Sequence, residues 1–237
     1  MPLTFAHPAV VLPVGRLFKH QLSLTGLVIG SMVPDFEYFF RMHLTSIYSH
    51  TWPGLVWFDV PLAFILVILY ELYIKDPLIT HLPGMLNRKF YWFRGYRSHY
   101  TAGYFIMIII SVSIGAASHL FWDNFTHPGG QFVNEIPYLR HIVRIHGYHL
   151  YLFTILQHVS TAFGLLLIMI VCLSLRKGEL TKAANITGFW LQIILVMVVT
   201  IAIRLATGLH LHDYSNVIIT LIDGGLIGLI IASVIAS

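Results

Sequence analysis

Long apolar runs separated by short polar breaks set the pattern of this chain. A membrane-crossing helix needs roughly 20 apolar residues, because each residue rises 1.5 Å through a hydrocarbon core about 30 Å thick. Five stretches meet that length, at about 54–74, 101–121, 150–175, 187–209 and 215–236. Two earlier runs, "HPAVVLPVGRLF" and "SLTGLVIGSMVP", are each too short to span. Arg16, Lys19 and His20 lie between them. They predict a helical hairpin that dips in and returns, with Lys19 and His20 at its turn. Such a hairpin needs protein or a watery cavity against its exposed backbone. It would bring His7 and Asp35 back to the level of His50. The expected fold is all-α: a polytopic helical membrane protein with five spans plus an N-terminal helical hairpin. The chain reads as a single membrane-embedded domain, 1–237, with the hairpin and its corners in 1–50 and a five-helix bundle in 51–237. No internal repeat or low-complexity tract interrupts it.

Composition agrees. With 57% hydrophobic and 10% charged residues, and a mean hydropathy of +0.78, the chain is too apolar for an ordinary soluble domain. The single cysteine, Cys172, excludes an intramolecular disulfide framework and a thiolate-cluster metal site. No basic segment precedes an apolar core at the N-terminus, so no cleavable signal peptide is expected. The net charge of +4 is modest, and no basic-aromatic surface argues for nucleic acid.

Lys and Arg in short loops mark the cytoplasmic side. Lys75, Arg88, Lys89, Arg94 and Arg97 follow the first span, and Arg176, Lys177 and Lys182 follow the third. The longer loop after the second span holds only Arg140 and Arg144, and the loop after the fourth holds none. The two basic loops and the C-terminus are therefore predicted to be cytoplasmic, with 122–149 and 209–214 facing outward. This sorts the histidines. His50, His119, His127, His141, His146, His149, His210 and His212 fall at the outer side, and His158 lies roughly 12 Å deeper along its span. His20, His81 and His99 fall at the inner side.

Candidate chemistry gathers at that outer side. In "SHLFWDNFTHPGG" (118–130), His119 and Asp123 are four residues apart and share one helix face. Gly115 and Ser111 continue the stripe and leave room for a neighbouring helix. Imidazole and carboxylate on successive turns can chelate one zinc or bridge two, although a lone pair of this kind often only hydrogen-bonds. Short rigid corners add further groups: His7 in "FAHPAV", Asp35 and Glu37 in "GSMVPDFEYF", and His50 in "YSHTWPG". His7, Asp35, His50, His119 and Asp123 supply three imidazoles and two carboxylates. That set suits zinc, or manganese where carboxylates dominate.

Other polar groups have plainer readings beside sharper ones. His127 precedes "PGG", which predicts a helix end, and reads as a rim residue or a donor behind the ligands. Tyr151, Thr154, His158 and Thr161 form a stripe on the third span. There His158 is a ligand, a support for one, or a helix–helix hydrogen bond. Arg204 and Asp223 read as a salt bridge between the last two spans, or Arg204 as a phosphate grip. Asp59 is a support for the ligands or an end-of-helix group. Glu71 and Lys75 read as a structural i, i+4 pair. Arg140, Arg144, His146 and His149 lie on the outer rim, to recruit an anionic headgroup or anchor the loop.

The stretches "MPLTFAHPAVVLP", "LVIGSMVPDFEYF", "SHTWPGLVWFDVPLAF", "HLFWDNFTH" and "YLFTILQHVSTAFGLLL" together resemble the bacterial domain-of-unknown-function family 4184, over roughly residues 1–175. That family is similar to inner-membrane metal-dependent hydrolases with the pattern His, Gly-Ser-x-x-Pro-Asp, Thr-His-Ser and His-x-x-x-Asp. More remotely, the order of ligands is similar to that of the zinc-dependent phospholipase C and nuclease superfamily, whose metals activate a bridging hydroxide for attack on phosphorus. Position by position, the resemblance implies His7, Asp35, His50, His119 and Asp123 as metal ligands, with Asp35 and Asp123 catalytic. Two departures stand out. Ser-His-Thr replaces Thr-His-Ser at 49–51, and the later His-x-x-x-Glu that completes a third metal is missing. One or two divalent ions, zinc by donor type, are thus expected in place of three.

Together these readings lead to an expected metal-dependent hydrolase of a bacterial inner membrane, its site facing outward and its C-terminus cytoplasmic. Its partners would be membrane lipid and a lipid-linked phosphate substrate. Glu37, His127, Arg144, His146, His158 and Arg204 are the residues placed to support the ligands or bind substrate. Two other classes fit the same sequence. One is a transporter or ion-binding protein with a path along His158, Arg204 and Asp223. The other is a non-catalytic scaffold in which a fully coordinated metal ties helices together.

Overall fold

The computed structural model describes residues 3–18, 20–95, 101–145, 147–181 and 185–236. Lys19, Arg97, His99, His146 and Lys182, which entered the sequence reading, lie outside the described residues. In chain order the helices are α1 (Pro8–Leu17), α2 (Leu24–Gly30), α3 (Phe36–Arg41), α4 (Trp52–His81), α5 (Gly84–Phe90), α6 (Ala102–Thr126) and α7 (Gln131–Glu135). A hairpin of β1 (Ile142–Ile145) and β2 (Tyr148–Tyr151) follows, then α8 (Leu152–Ser174), α9 (Ile186–Ala206) and α10 (Tyr214–Ala236). The protein is helical, and five stretches are long and apolar enough to cross a membrane: Trp52–His81, Ala102–Glu135, Leu152–Ser174, Ile186–Ala206 and Tyr214–Ala236. These coincide with the five runs legible in the sequence. Their outward faces carry large exposed apolar side chains such as Ile106, Phe163, Leu195 and Val234. In water such faces would be costly, whereas lipid covers them.

The chain divides into two compact units, each drawing on several segments. The first unit comprises Met1–Asp35, Tyr48–Phe64 and Tyr100–Cys172. Its N-terminal helices are short. Ten residues in α1 and seven in α2 reach only about 15 Å and about 10 Å, so neither crosses a bilayer alone. Pro8 starts α1, where its missing N–H costs nothing. Ser23 caps α2 by accepting from Gly26 N–H at 3.1 Å. α2 packs on α1 and along α6.

Two glycines permit that second contact. A Cβ at Gly30 would stand 2.5 Å from Val112 O, and one at Gly115 would stand 2.5 Å from Leu27 O. Backbone therefore lies on backbone, as in small-residue contacts between membrane helices. Ser111 adds a hydrogen bond, its Oγ accepting from Ser23 N–H at 2.8 Å. The Gly115–Ser111 stripe does take a neighbouring helix, and that helix is α2. Gly164 does similar work on α8, where a Cβ would stand 2.9 Å from Ala6 O.

α6 ends at Thr126, and His127 is extended with φ −113° and ψ 147°. The following Pro128 requires this, because its ring disfavours helical backbone in the residue before it. The β1–β2 hairpin was not expected from the sequence. It pairs Arg144 with His149 and turns through Gly147, whose φ of +86° suits glycine. A small apolar cluster of Val133, Leu139 and Phe153 packs beneath this region.

The second unit comprises Phe36–Ile47, Ile65–His99 and Leu173–Ser237. α9 and α10 pack closely within it, with Gly224 and Gly228 against Met197 and Ile193. Asn87 is buried and knots the loops, donating to Ile79 O and Thr181 O while accepting from Thr181 N–H. Glu71 and Lys75 form their expected ion pair on α4.

Candidate metal centre

Every member of the five-residue set belongs to the first unit. Each arrives on a different local device. His7 precedes Pro8 at the start of α1. Asp35 ends a short 3-10 turn, Val33–Asp35, just after α2. His50 sits in a tight corner with φ +60°, a left-handed conformation that a non-glycine residue adopts only under local constraint. The corner is closed by Thr51, whose Oγ1 accepts from Gly54 N–H at 3.0 Å. It leaves no room for a side chain at Gly54, where a Cβ would fall 1.8 Å from Tyr48 O. His119 and Asp123 share one face of α6.

Their donor atoms converge. His50 Nε2 lies 3.3 Å from Asp35 Oδ1 and 3.6 Å from Asp123 Oδ2. His119 Nε2 lies 3.6 Å from the same Asp35 oxygen and 3.3 Å from the same Asp123 oxygen. These separations exceed the ~2.7–2.9 Å of charge-assisted hydrogen bonds. The two 3.3 Å separations are close to the ~3.3–3.4 Å between ligand atoms that stand about 2.0–2.1 Å from one ion in tetrahedral geometry. The donors that could hold an ion fall into two groups of three, His7–His119–Asp123 and Asp35–His50–His119, each with its atoms within 4.8 Å of one another. His7 Nε2 approaches the other oxygen of Asp123, Oδ1, at 3.6 Å. Its ring stacks on His119 with centroids 3.8 Å apart and planes 18° apart.

Burial makes this convergence costly unless a cation joins it. Asp35 and His119 are fully buried, and His7 and Asp123 nearly so. Nε2 of His7 and His119, Oδ1 of Asp35 and both carboxylate oxygens of Asp123 have no hydrogen-bond partner among the described residues. Leaving one buried polar atom unsatisfied costs about 1–3 kcal/mol, and more for a charged group. Each of the two groups of three could hold an ion that takes up these lone pairs.

Supporting groups aim the donors. His119 Nδ1 lies 2.8 Å from Ser31 O, which can only accept, so Nδ1 carries a proton and Nε2 faces the cluster. Thr4 Oγ1 donates to Asp35 Oδ2 at 2.6 Å, leaving Oδ1 to face the cluster. His50 Nδ1 contacts Ser49 Oγ at 2.9 Å. Burial, then the neighbouring His119, pushes the His7 imidazole down to about 3, so it is neutral and ready to ligate. For Asp35, burial would raise the carboxyl. The His119 imidazole and the contact with His50 outweigh it and hold Asp35 below the usual carboxylate range.

The remaining candidates lie in different settings. His127 is half-buried, with Nδ1 3.5 Å from Asp123 Oδ2 and 3.2 Å from Asp123 O. It borders the cluster from the helix end. Arg144 is exposed on β1, and His158 is exposed on α8. Glu37, in the second unit, has its carboxylate held by Arg41 at 2.8 Å and by Ile47 N–H at 2.9 Å. Arg204, also in that unit, donates through Nη2 to Met42 O at 3.3 Å. Among the described residues it forms no ion pair with Asp223. His146 lies outside the described residues. The sequence reading missed Thr4, Ser31 and Ser49. Ser49 had the signal of adjacency to His50, but nothing in the sequence marks the Ser31 carbonyl.

Fold and cluster together define a helical protein with five candidate membrane spans and a buried set of three histidines and two aspartates. The chain belongs to the family described as Domain of unknown function (DUF4184), whose pattern matches residues 1–234. The match takes in the last two helices as well as the N-terminal motifs. Neither a curated protein nor a solved structure matches the chain.

Proposed function

We propose that this protein is a membrane-embedded, metal-dependent hydrolase acting on a lipid-linked phosphoester at the outer face of the membrane. The observation that carries the reading is the convergence of donors from His7, His119 and Asp123 and from Asp35, His50 and His119, all buried except the part-buried His50. The donor types suit zinc, as one or two ions. Such an ion supplies Lewis-acid charge to phosphoryl oxygens and acidifies water near neutral pH. Asp35 and Asp123 balance that charge, and the Ser31 and Thr4 contacts keep His119 and Asp35 aimed. In the net reaction a water oxygen bonds to phosphorus while the bond from phosphorus to the lipid oxygen breaks. One water proton ends on the lipid alcohol, and the phosphate keeps the other.

α1 and α2 act in this reading as a hairpin that enters the membrane and returns, closing the site against α6. In this reading the basic loops at 75–100 and 176–186, and the C-terminus, face the cytoplasm, because Lys and Arg in short loops favour that side. His119 stands seven residues, about 10 Å, inside the end of α6. That depth favours an amphiphile over a soluble substrate.

One observation favours a second reading, a structural ion that ties α6 to the N-terminal segment: the donors come from α6 and from three corners of the first 50 residues, and structural zinc sites are closed by protein ligands. Against it, the two oxygens of Asp123 face different imidazoles and the donors fall into two groups of three, which suits two ions or one ion with an open position. The test is metal analysis of protein purified in detergent, paired with hydrolysis of lipid phosphates. The hydrolase reading expects one or two ions per chain, lost in His119→Ala, and phosphate release that stops with the metal. Metal without any turnover would leave the structural ion.

A further inference from the structure

Beside the cluster lies an apolar cavity of about 190 Å³, enclosed by the start of α1, by α6 and by α8. Its wall includes Ala6, His7, Val10, Trp122, Phe163 and Leu167. The same His7 imidazole faces Asp123 Oδ1 at 3.6 Å. His7 therefore borders both the cavity and the cluster. The wall offers almost no polar surface. Its one hydroxyl, on Ser160, is turned back to donate to Gln157 O at 3.0 Å. Small residues make the space: Ala6, Ala9 and Gly164 line it, and Gly164 lets α8 approach Ala6 backbone. Val10 and Phe163 in its wall are 43% and 65% exposed, on faces suited to lipid, so the cavity is open there to a chain that continues outward.

We propose that this cavity holds the first carbons of a single hydrocarbon chain bonded directly to the substrate phosphate. The proposal rests on the hydrolase reading and names its substrate class: an alkyl or prenyl phosphate. Size fits the assignment, since an apolar cavity of ~150 Å³ takes benzene and its six carbons. A cavity of about 190 Å³ therefore takes a segment of similar length, and the rest of the chain leaves past Val10 and Phe163 into the bilayer. Polarity selects the chain type. A glycerophospholipid places its glycerol and ester carbonyls next to the phosphate. Here those carbonyls would be buried with no donor, which is unfavourable. A chain of carbons next to the phosphate has no such groups.

The test uses full-length protein, loaded with zinc, in phosphatidylcholine nanodiscs. Its probe is dodecylphosphonate, which has a chain bonded to phosphorus and no ester to cleave. Methylphosphonate and dioleoyl phosphatidic acid serve as comparisons, with binding followed by calorimetric titration. Two variants fill the cavity from opposite walls, Val10→Phe and Leu167→Trp, and metal content verifies that each retains its folded cluster. Dodecylphosphonate should bind wild type at least tenfold more tightly than it binds either variant, and more tightly than phosphatidic acid binds wild type. Equal binding to wild type and both metal-loaded variants, or no binding at all, overturns the chain subsite. Phosphatidic acid binding as tightly as dodecylphosphonate overturns the choice of a directly bonded chain. Should dodecylphosphonate behave as expected while metal-loaded protein releases no phosphate from dodecyl or farnesyl phosphate, the hydrolase reading fails and the chain subsite stands.

Discussion

His119 and Ser31 are 88 residues apart, yet His119 Nδ1 lies 2.8 Å from the Ser31 carbonyl oxygen. This bond ties α6 to the end of α2 and points Nε2 into the cluster. It is the clearest sign that the N-terminal segment and α6 are built around one site.

Removing that imidazole should cost both metal and stability. In His119→Ala, the Ser31 carbonyl loses its donor, at about 1–3 kcal/mol. Two carboxylates lose a shared partner. The expected outcome is at least a tenfold loss of zinc affinity and a lower melting temperature, read by metal analysis and thermal unfolding in detergent. Wild-type zinc content in this variant would remove His119 from the ligand set.

Asp123→Asn should harm zinc binding more than His127→Ala does. Asp123 presents both oxygens to imidazoles of the cluster, whereas His127 is half-buried at its border. Side-by-side zinc titration of the two variants decides the order. A greater loss in His127→Ala would reverse the assignment.

Gly115→Val should empty the site without touching a ligand. Its Cβ would fall 2.5 Å from Leu27 O and 2.6 Å from Ser31 N, so α2 must move away from α6. Overpacking of this kind costs about 1–3 kcal/mol. The Ser31 contact to His119 should open with it. The measurement is zinc content together with melting temperature, and full occupancy at wild-type affinity would show that close helix approach is not needed.

Acid should destabilise the metal-free protein partly through His7. Its pKa falls from 6.5 to about 3 on folding. Between those values the unfolded chain takes a proton at His7 that the folded chain refuses. The His7 contribution is therefore fully present above about 6.5 and is lost progressively as pH falls toward about 3. His7→Leu should lose less melting temperature than wild type between those limits. Parallel slopes in the two proteins would contradict this.

Sidedness can be read by cysteine labelling in intact cells, in a background with Cys172 replaced. Asn134 is exposed and suits the outer probe. Asn87, an obvious inner probe by sequence, is buried and hydrogen-bonded, so Met85, 55% exposed, replaces it. An impermeant maleimide should label Asn134→Cys and spare Met85→Cys. The opposite pattern would turn the site toward the cytoplasm and change the substrate class.

Five spans, the stop of α6 before Pro128 and the shared face of His119 and Asp123 were legible in the sequence, because each depends on neighbours within a few turns. Apolar length sets a span, proline bars helical backbone before it, and a four-residue spacing returns to the same side of a helix. Tertiary structure alone decided which polar groups meet. His7, Asp35 and His50 reach His119 and Asp123 because Gly30 and Gly115 let α2 lie on α6 and because His50 takes a left-handed turn. Glu37, two residues from Asp35, turns instead to Arg41 and Ile47. The hairpin at 142–151 and the cavity beside His7 left no periodic trace either. Convergence depends on how distant backbones pack, and local pattern carries no distance between segments far apart in the chain.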